Sequence, residues 1–161
     1  MDLQNTALIS QIKSIINEAQ ERAIRAVDHE RTLMYWHIGK HIVEEEQQGK
    51  ARAEYGKYLI KYLAAQLEPE FGSGFGVRQL EIIRQFYQAF PIANALRSQL
   101  NWTQYRLFTR IEDTDKREFY MAESIKNAWT SRQTERQINS LLYERLLMSN
   151  DKASVLAVAK G

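Results

Sequence analysis

The sequence predicts an all-α protein, a multi-helix domain with a long N-terminal helix or bent helix pair and a helix-turn-helix-like core. Apolar residues recur three and four positions apart along most of the chain, which is the spacing of amphipathic helices. Only seven glycines and two prolines occur among 161 residues, too few for the turns of an all-β fold. No Asn-Gly or Asp-Gly hairpin signal occurs either. A short wing near residues 92–100 is the one place where strands stay an alternative.

Length and composition narrow the class of protein. A chain of 161 residues favours one domain with a single core. Because cysteine is absent, disulfides, a thiol nucleophile, cysteine-ligated zinc and iron–sulfur clusters are excluded. The sequence has neither an apolar run of about 18 residues nor the layout of a signal peptide. We therefore expect an unprocessed, soluble, cytoplasmic protein without a membrane partner.

The first predicted element is a helical run from about residue 2 to residue 47, either one helix or two with a bend at residues 28–32. Asn5 or Thr6 is suited to cap its start, and Gly49 is suited to end it. A periodic pattern of this length is unusual inside a small domain, so part of it is expected to pack against another chain. We predict a homodimer whose interface includes Ile12, Ile16, Ala23 and Val27.

A pair of helices is predicted next, over residues 55–67 and 77–90. Between them, Pro69 predicts the end of the first helix, and the glycine-rich run 71–76 predicts a tight turn anchored by two phenylalanines. A helix, a fixed turn and a polar, basic second helix are compatible with helix-turn-helix geometry. In that geometry the second helix enters the major groove of DNA.

Capping residues predict three further helices. The first helix ends at about residue 111 and is capped by Asn101 with Gln104. The second covers about 116–129 and is capped by Asp113, and the third covers about 132–148 and is capped by Thr130 with Gln133. We expect residues 1–151 to form one all-helical domain, made of a long helical segment (1–48) and a core (55–151). Residues 152–161 are expected to begin a linker.

Positive charge is concentrated in the middle of the chain. Residues 73–110 contain five arginines and one glutamate, a net charge of +4, whereas the whole chain carries +2. Arginine is suited to bidentate contacts with phosphate or guanine. Together with two glutamines among them, these arginines form the predicted DNA-binding set: Arg78, Gln79, Arg84, Gln85, Arg97, Arg106 and Arg110.

Two other patterns suggest different chemistry. His37 and His41 project from one helix face, with Glu44 and Glu45 one turn further on, a spacing that can hold a metal ion and make the chain itself an enzyme. No general base lies between the histidines, so an ordinary surface pair is the competing interpretation. Residues 72–76 look like a phosphate-cradling loop, but they follow a helix and lack a Lys-Ser/Thr pair, which favours a simple turn.

Motifs along residues 32–149 resemble a known family. They occur in the order Tyr35-Trp36 with Gly39, Arg52 with Tyr55-Gly56, Gly74-Phe75, Leu80, Arg84 with Phe86-Tyr87, Phe90-Pro91, Trp102, Tyr105, Phe119-Tyr120, Trp129, Arg136-Gln137 and Tyr143-Glu144-Arg145. In this order they resemble the N-terminal domain of the YhcG-like family of candidate PD-(D/E)XK nucleases, a domain of unknown function. One departure is Gly76, where the family usually has a Ser or Thr that would cap the following helix.

The resemblance implies a bacterial DNA-processing protein whose nuclease motif lies in a C-terminal domain beyond residues 152–161. It implies that the present chain is non-catalytic and holds no cofactor, and that a divalent metal belongs to the nuclease domain alone. Our first hypothesis is a domain that binds DNA and positions that nuclease. The alternative is a homodimerisation or protein-docking module of the same nuclease. In neither case do we expect a small-molecule substrate.

Overall fold

The computed structural model describes residues 3–48 and 53–160, and these residues form eight α-helices and two single turns of 3₁₀ helix. The helices are α1 (Leu3–Gln48), α2 (Ala53–Phe71), α3 (Val77–Ala89), α4 (Trp102–Thr109), α5 (Thr114–Lys126), α6 (Ser131–Asn139), α7 (Leu142–Met148) and α8 (Lys152–Lys160). No strand occurs in the described ranges, which confirms the all-α prediction, and residues 93–95 of the suggested wing form a 3₁₀ turn.

The predicted long N-terminal helix is confirmed. It is one uninterrupted helix, without the bend at residues 28–32 that was the alternative. At 1.5 Å per residue, the 46 residues of α1 extend about 69 Å. The predicted cap at Asn5 or Thr6 is wrong, because the helix already includes Leu3, and the predicted end at Gly49 lies outside the described residues. Every residue from 5 to 27 is exposed, and we call this segment the arm. The rest of α1 packs on the other helices, which form the body.

Helix α3 lies at the centre of the body. Its Leu80, Ile83 and Phe86 are fully buried. The C-terminal half of α1 approaches it most closely at Gly39, where a β-carbon would lie 2.6 Å from the backbone oxygen of Ile83. Only glycine permits this approach, so the glycine sets the spacing of the two helices.

Helix α2 continues past its predicted end at residue 67 and passes through Pro69 to Phe71. Proline is tolerated here because it lies close to the helix end, where it removes only one hydrogen bond of the helix. Gly72 then has a positive φ of 96° with ψ of −178°, a backbone conformation that favours glycine, and its N–H donates to the carbonyl oxygen of Glu68 at 2.8 Å. The glycine-rich turn therefore begins within the predicted run 71–76, while the helix before it ends four residues later than predicted.

The three predicted caps around α4, α5 and α6 are confirmed. Asn101 and Gln104 exchange the two hydrogen bonds of a capping box, as do Thr130 and Gln133, and the Asp113 carboxylate accepts from the first turn of α5. Gln104 is also buried, and its side-chain amide donates to the carbonyl oxygen of Trp129 and the hydroxyl of Thr134. One residue thus caps α4 and ties it to α6.

The predicted single helix over 132–148 is wrong, because α6 and α7 are separate. Leu141 between them has a left-handed conformation, with φ of 60° and ψ of 42°. This residue is exposed, whereas Leu142 is fully buried. The break reorients the chain so that Leu142 enters the core. Burial of Leu142 offsets the conformational strain of the left-handed Leu141, which costs about 1–2 kcal/mol.

The segment predicted to begin a linker is helical as far as Lys160. Ala159 of α8 is buried, and its carbonyl oxygen accepts a hydrogen bond from the side-chain amide of Gln137 in α6. Helix α8 also packs against α7. Residues 152–160 therefore lie against the body, while the predicted domain boundary at residue 151 stays a prediction.

Candidate functional site

The exposed side of α3 carries part of the predicted DNA-binding set. Arg78 and Gln85 are exposed on one stripe of the helix, two turns apart, together with Gln88. Glu81 is exposed on the same stripe and lowers its positive charge, while Gln79 is half-buried beside it. The stripe therefore presents one cation and several amides to solvent.

Arg84 lies on another side of α3, where it binds an acidic residue of α1. Its Nε donates to both carboxylate oxygens of Glu46 at 2.8 Å. The glutamate side chain is only 13% exposed, so the ion pair is partly shielded from water. A phosphate would have to displace Glu46 before it could use this guanidinium.

The three remaining predicted arginines occupy separate surroundings. The Arg97 guanidinium lies 3.4 Å from the carboxylate of Glu118 in α5. Arg106 is half-buried, and its Nε has no hydrogen-bond partner among the described residues. Arg110 is exposed at the end of α4 and lines a cavity of about 450 Å³ that also includes the acidic residues Glu112, Asp113 and Glu135. Folding thus brings carboxylates to a segment that is basic in sequence.

The turn between α5 and α6 is closer in length to that of a helix-turn-helix motif than the predicted turn between α2 and α3. Only residues 127–130 join α5 to α6, and Ala128 in this turn is left-handed with φ of 50°. Such a turn of three or four residues is typical of the motif. The exposed side of α6 is polar and includes Arg132 and Arg136. This surface was not predicted from the sequence, although the Thr130–Gln133 capping box was its local signal.

The arm presents a continuous apolar face. At about 100° per residue, every arm residue from 8 to 27 that falls within one arc of about 120° is apolar. The members of this face are Leu8, Ile9, Ile12, Ile15, Ile16, Ala19, Ala23, Ala26 and Val27. Its large side chains are between 44% and 72% exposed. The four residues predicted for the dimer interface therefore share one exposed face, and Ile24 is an exposed isoleucine on another side of the helix.

An apolar groove of about 490 Å³ lies between the body half of α1 and helix α2. Helix α1 contributes Met34, Ile38 and Ile42, and helix α2 contributes three leucines, Leu59, Leu63 and Leu67. Leu80 of α3 completes the apolar lining, and His37, His41 and Glu45 also line the groove. We call this the α1–α2 groove.

His37 and His41 are not part of a set of metal ligands in the described ranges. Across residues 3–48 and 53–160, no group of three or more His, Asp or Glu side chains is arranged to hold a metal ion. The two histidines line an apolar groove instead, which is the environment of an interaction surface.

One ion pair joins α5 to α7. The Lys116 ammonium lies 2.5 Å from the Glu144 carboxylate. Burial is the largest single influence and by itself raises the pKa of Glu144, but the hydrogen bond from Lys116, a backbone hydrogen bond and the attraction of the ammonium group together outweigh it, and the pKa is lowered overall. The same hydrogen bond raises the pKa of Lys116. The pair is charged at neutral pH and holds two helices of the body together.

No helix of the described ranges is long and apolar enough to cross a membrane.

Comparisons with known proteins identify similar sequences. The family model described as the DUF1016 N-terminal domain matches residues 11–145. A protein of Escherichia coli (strain K12) named "Putative nuclease YhcG" is 32% identical over 174 aligned residues, which cover 88% of this chain and 46% of that protein. The chain thus spans about half the length of this relative. No solved structure matches the chain.

Proposed function

Because the chain belongs to the DUF1016 N-terminal domain family, we propose that it is a non-catalytic assembly domain of a nuclease, which holds two copies together through its arm. The observation that carries this proposal is the apolar face of the arm, which no other described residue of the chain covers. Exposed apolar surface of this extent marks an interaction site.

The length of the arm supports the same conclusion. All 23 residues of the arm are exposed, so within the described chain no packing against the body stabilises this part of the helix. Isolated helices gain little stability in water, and helices in proteins are stabilised mainly by packing of their apolar face. A second chain supplies that packing.

The test is the concentration dependence of the molecular mass. Sedimentation from low micromolar to about a hundred micromolar protein should show a dimer, and the double substitution Ile12→Asp with Ile16→Asp should give a monomer, because charged groups cannot be buried unpaired. The control is Ile24→Asp, which places one aspartate at an exposed isoleucine on another side of the arm. Circular dichroism checks that the body stays helical.

Two outcomes would remove the assembly proposal. One is a monomer at all concentrations for the unsubstituted chain. The other is equal loss of association in the Ile12/Ile16 variant and the Ile24 control, since that result would not depend on the apolar face.

DNA contact is the second candidate function. Two exposed polar helix surfaces favour this function. One lies on α3 and includes Arg78, and the other lies on α6 and includes Arg132 and Arg136. Arginines on a helix side can neutralise phosphates of a duplex, which releases counterions and makes the affinity fall with salt. In this proposal the domain holds DNA for a nuclease active site, and a divalent metal belongs to that active site.

DNA contact is tested by titration of a labelled duplex at several salt concentrations. Each arginine that binds a phosphate should reduce the slope of log affinity against log salt by about 1 when it is replaced by Gln. The variants are Arg78→Gln for α3 and Arg132→Gln with Arg136→Gln for α6. The controls of equal charge change lie at exposed positions of α2: Lys61→Gln for the α3 variant, and Lys57→Gln with Lys61→Gln for the α6 variant. An unchanged affinity and slope in both sets would exclude these surfaces.

A further inference from the structure

We propose that the arm of one copy lies antiparallel in the α1–α2 groove of a second copy, with Ile9, Ile12 and Ile16 against the groove wall formed by Met34, Ile38 and His41. This inference rests on the proposed assembly function and names the surface that the arm binds. The reciprocal contact places the arm of the second copy in the groove of the first.

The arm face and the groove lie on the same side of α1. A single line of residues connects them in steps of three and four, and its mean step of 3.6 residues is the period of a straight α-helix. This line contains Ile9, Ile12, Ile16, Ala19, Ala23, Val27, Glu30, Met34, Ile38, His41 and Glu45. A partner helix that follows the arm face is therefore led directly into the groove.

The spacing of the side chains fits two antiparallel copies of this line. From the arm end, Ile9, Ile12 and Ile16 are separated by steps of three and then four residues. From the opposite end, the groove residues His41, Ile38 and Met34 show the same two steps. In this pairing the numbers of two opposed residues add to 50, so that Ile12 of one copy lies opposite Ile38 of the other. The twofold axis therefore passes near residue 25, where Ala23 of one copy lies opposite Val27 of the other.

Symmetry and charge also favour this direction. Two antiparallel copies each fill the groove of the other, which closes the assembly, whereas a staggered parallel arrangement would leave one groove and one arm unused and could continue as a filament. The antiparallel pairing places Asn5 and Thr6 beside Glu45 and Glu44 of the second copy. The first turn of α1 has no acidic side chain in its described residues. The acidic residues of the second copy thus lie at the positive end of the helix dipole.

The contact is large enough for a stable dimer. Residues 5–45 of α1 extend about 60 Å, and a helix contact about 10 Å wide covers roughly 600 Å² on each copy, or about 1,200 Å² in total. This total reaches the lower end of the range for stable interfaces. The leucine wall of α2 adds to the area buried in each groove.

Disulfide cross-linking tests the pairing, because the chain contains no cysteine. The variant with Ile12→Cys and Ile38→Cys should form a covalent dimer on mild oxidation, as the two sulfurs of opposed residues would face each other. Within one copy these positions are about 39 Å apart along the helix, so a disulfide must join two chains. Each single variant should stay uncrosslinked. Circular dichroism and sedimentation before oxidation show that each variant folds and associates.

Other pairings predict other products. A cross-link in the Ile12→Cys single variant indicates parallel helices in register. A cross-link between Ile12→Cys and Ala23→Cys, without one between positions 12 and 38, indicates arms paired with each other. Either result overturns groove binding while the dimer itself stands, whereas a monomer in sedimentation overturns both.

A groove variant gives an independent measurement. Met34→Asp places a charge in the groove at a side chain that is 41% exposed and outside the core. It should raise the dimer dissociation constant at least about tenfold, because the contact would bury a carboxylate without a partner among apolar side chains. An unchanged dissociation constant, equal to that of the Ile24→Asp control, would show that the groove is not part of the interface.

Discussion

The approach of α1 to α3 makes Gly39→Ala a severe test of the fold. The added β-carbon would lie 2.6 Å from the backbone oxygen of Ile83 and 2.9 Å from the β-carbon of Tyr87, distances that force the helices apart. Overpacking of a core costs about 1–3 kcal/mol, and the stiff helical carbonyl places this site at the upper end. Alanine recovers about 1 kcal/mol of helix propensity over glycine. We therefore expect a net loss of about 2 kcal/mol.

Urea unfolding at one protein concentration, in the Ile12→Asp/Ile16→Asp background, measures this loss without a contribution from association. For a chain of this size, the loss corresponds to a decrease of about 4–8 °C in melting temperature. The control is Gly74→Ala, because a β-carbon there meets nothing within 4 Å. That variant should unfold within about 0.5 kcal/mol of the parent. A Gly39→Ala protein as stable as its parent would refute the close approach of the two helices.

Two further predictions concern buried polar contacts of the body. Gln104→Ala should lower the free energy of unfolding by about 3 kcal/mol, because it leaves the buried Trp129 carbonyl without its donor and leaves Ser124 as the one remaining side-chain partner of the Thr134 hydroxyl, while Gln133→Ala at the exposed capping box should cost about 1 kcal/mol. Equal losses in urea unfolding would contradict the buried role of Gln104. Glu144→Gln should cost less than about 1 kcal/mol at neutral pH, since both partners are partly exposed. Because folding lowers the pKa of Glu144, this cost should decrease as the pH falls below about 4.3 and vanish once the pH is below the lowered pKa, and a cost that persists in stronger acid would contradict the ion pair.

The parts of the fold that depend on neighbouring residues were predictable from the sequence. The caps at Asn101, Asp113 and Thr130 need only donors two or three residues away, so their residue types alone reveal them. The apolar face of the arm was predictable for the same reason, since its period is a local property. Helix ends set by packing were not predictable. Leu141 interrupts a good helical pattern because burial of Leu142 stabilises the break.

The surroundings of the predicted DNA-binding residues depend on contacts distant in sequence. Arg84 looks like a free cation in its own helix, but Glu46, which binds it, comes from a helix 38 residues earlier. Glu118 is likewise 21 residues from Arg97. A count of charges along the chain cannot include such partners. The α1–α2 groove was unpredictable for the same reason, because its two walls belong to different helices.

The continuity of α1 between arm and body has a consequence for insertions and deletions. One residue inserted near residue 28 would rotate the arm by about 100° relative to the groove and turn its apolar face away. Seven residues change the rotation by only about 20° and alter the reach by about 10 Å. The length of the helix between arm and groove therefore also sets the direction in which the apolar face of the arm points. Related chains can vary the reach of the arm in steps of about two turns, but a change of one or two residues would separate the two copies without altering any residue of their interface.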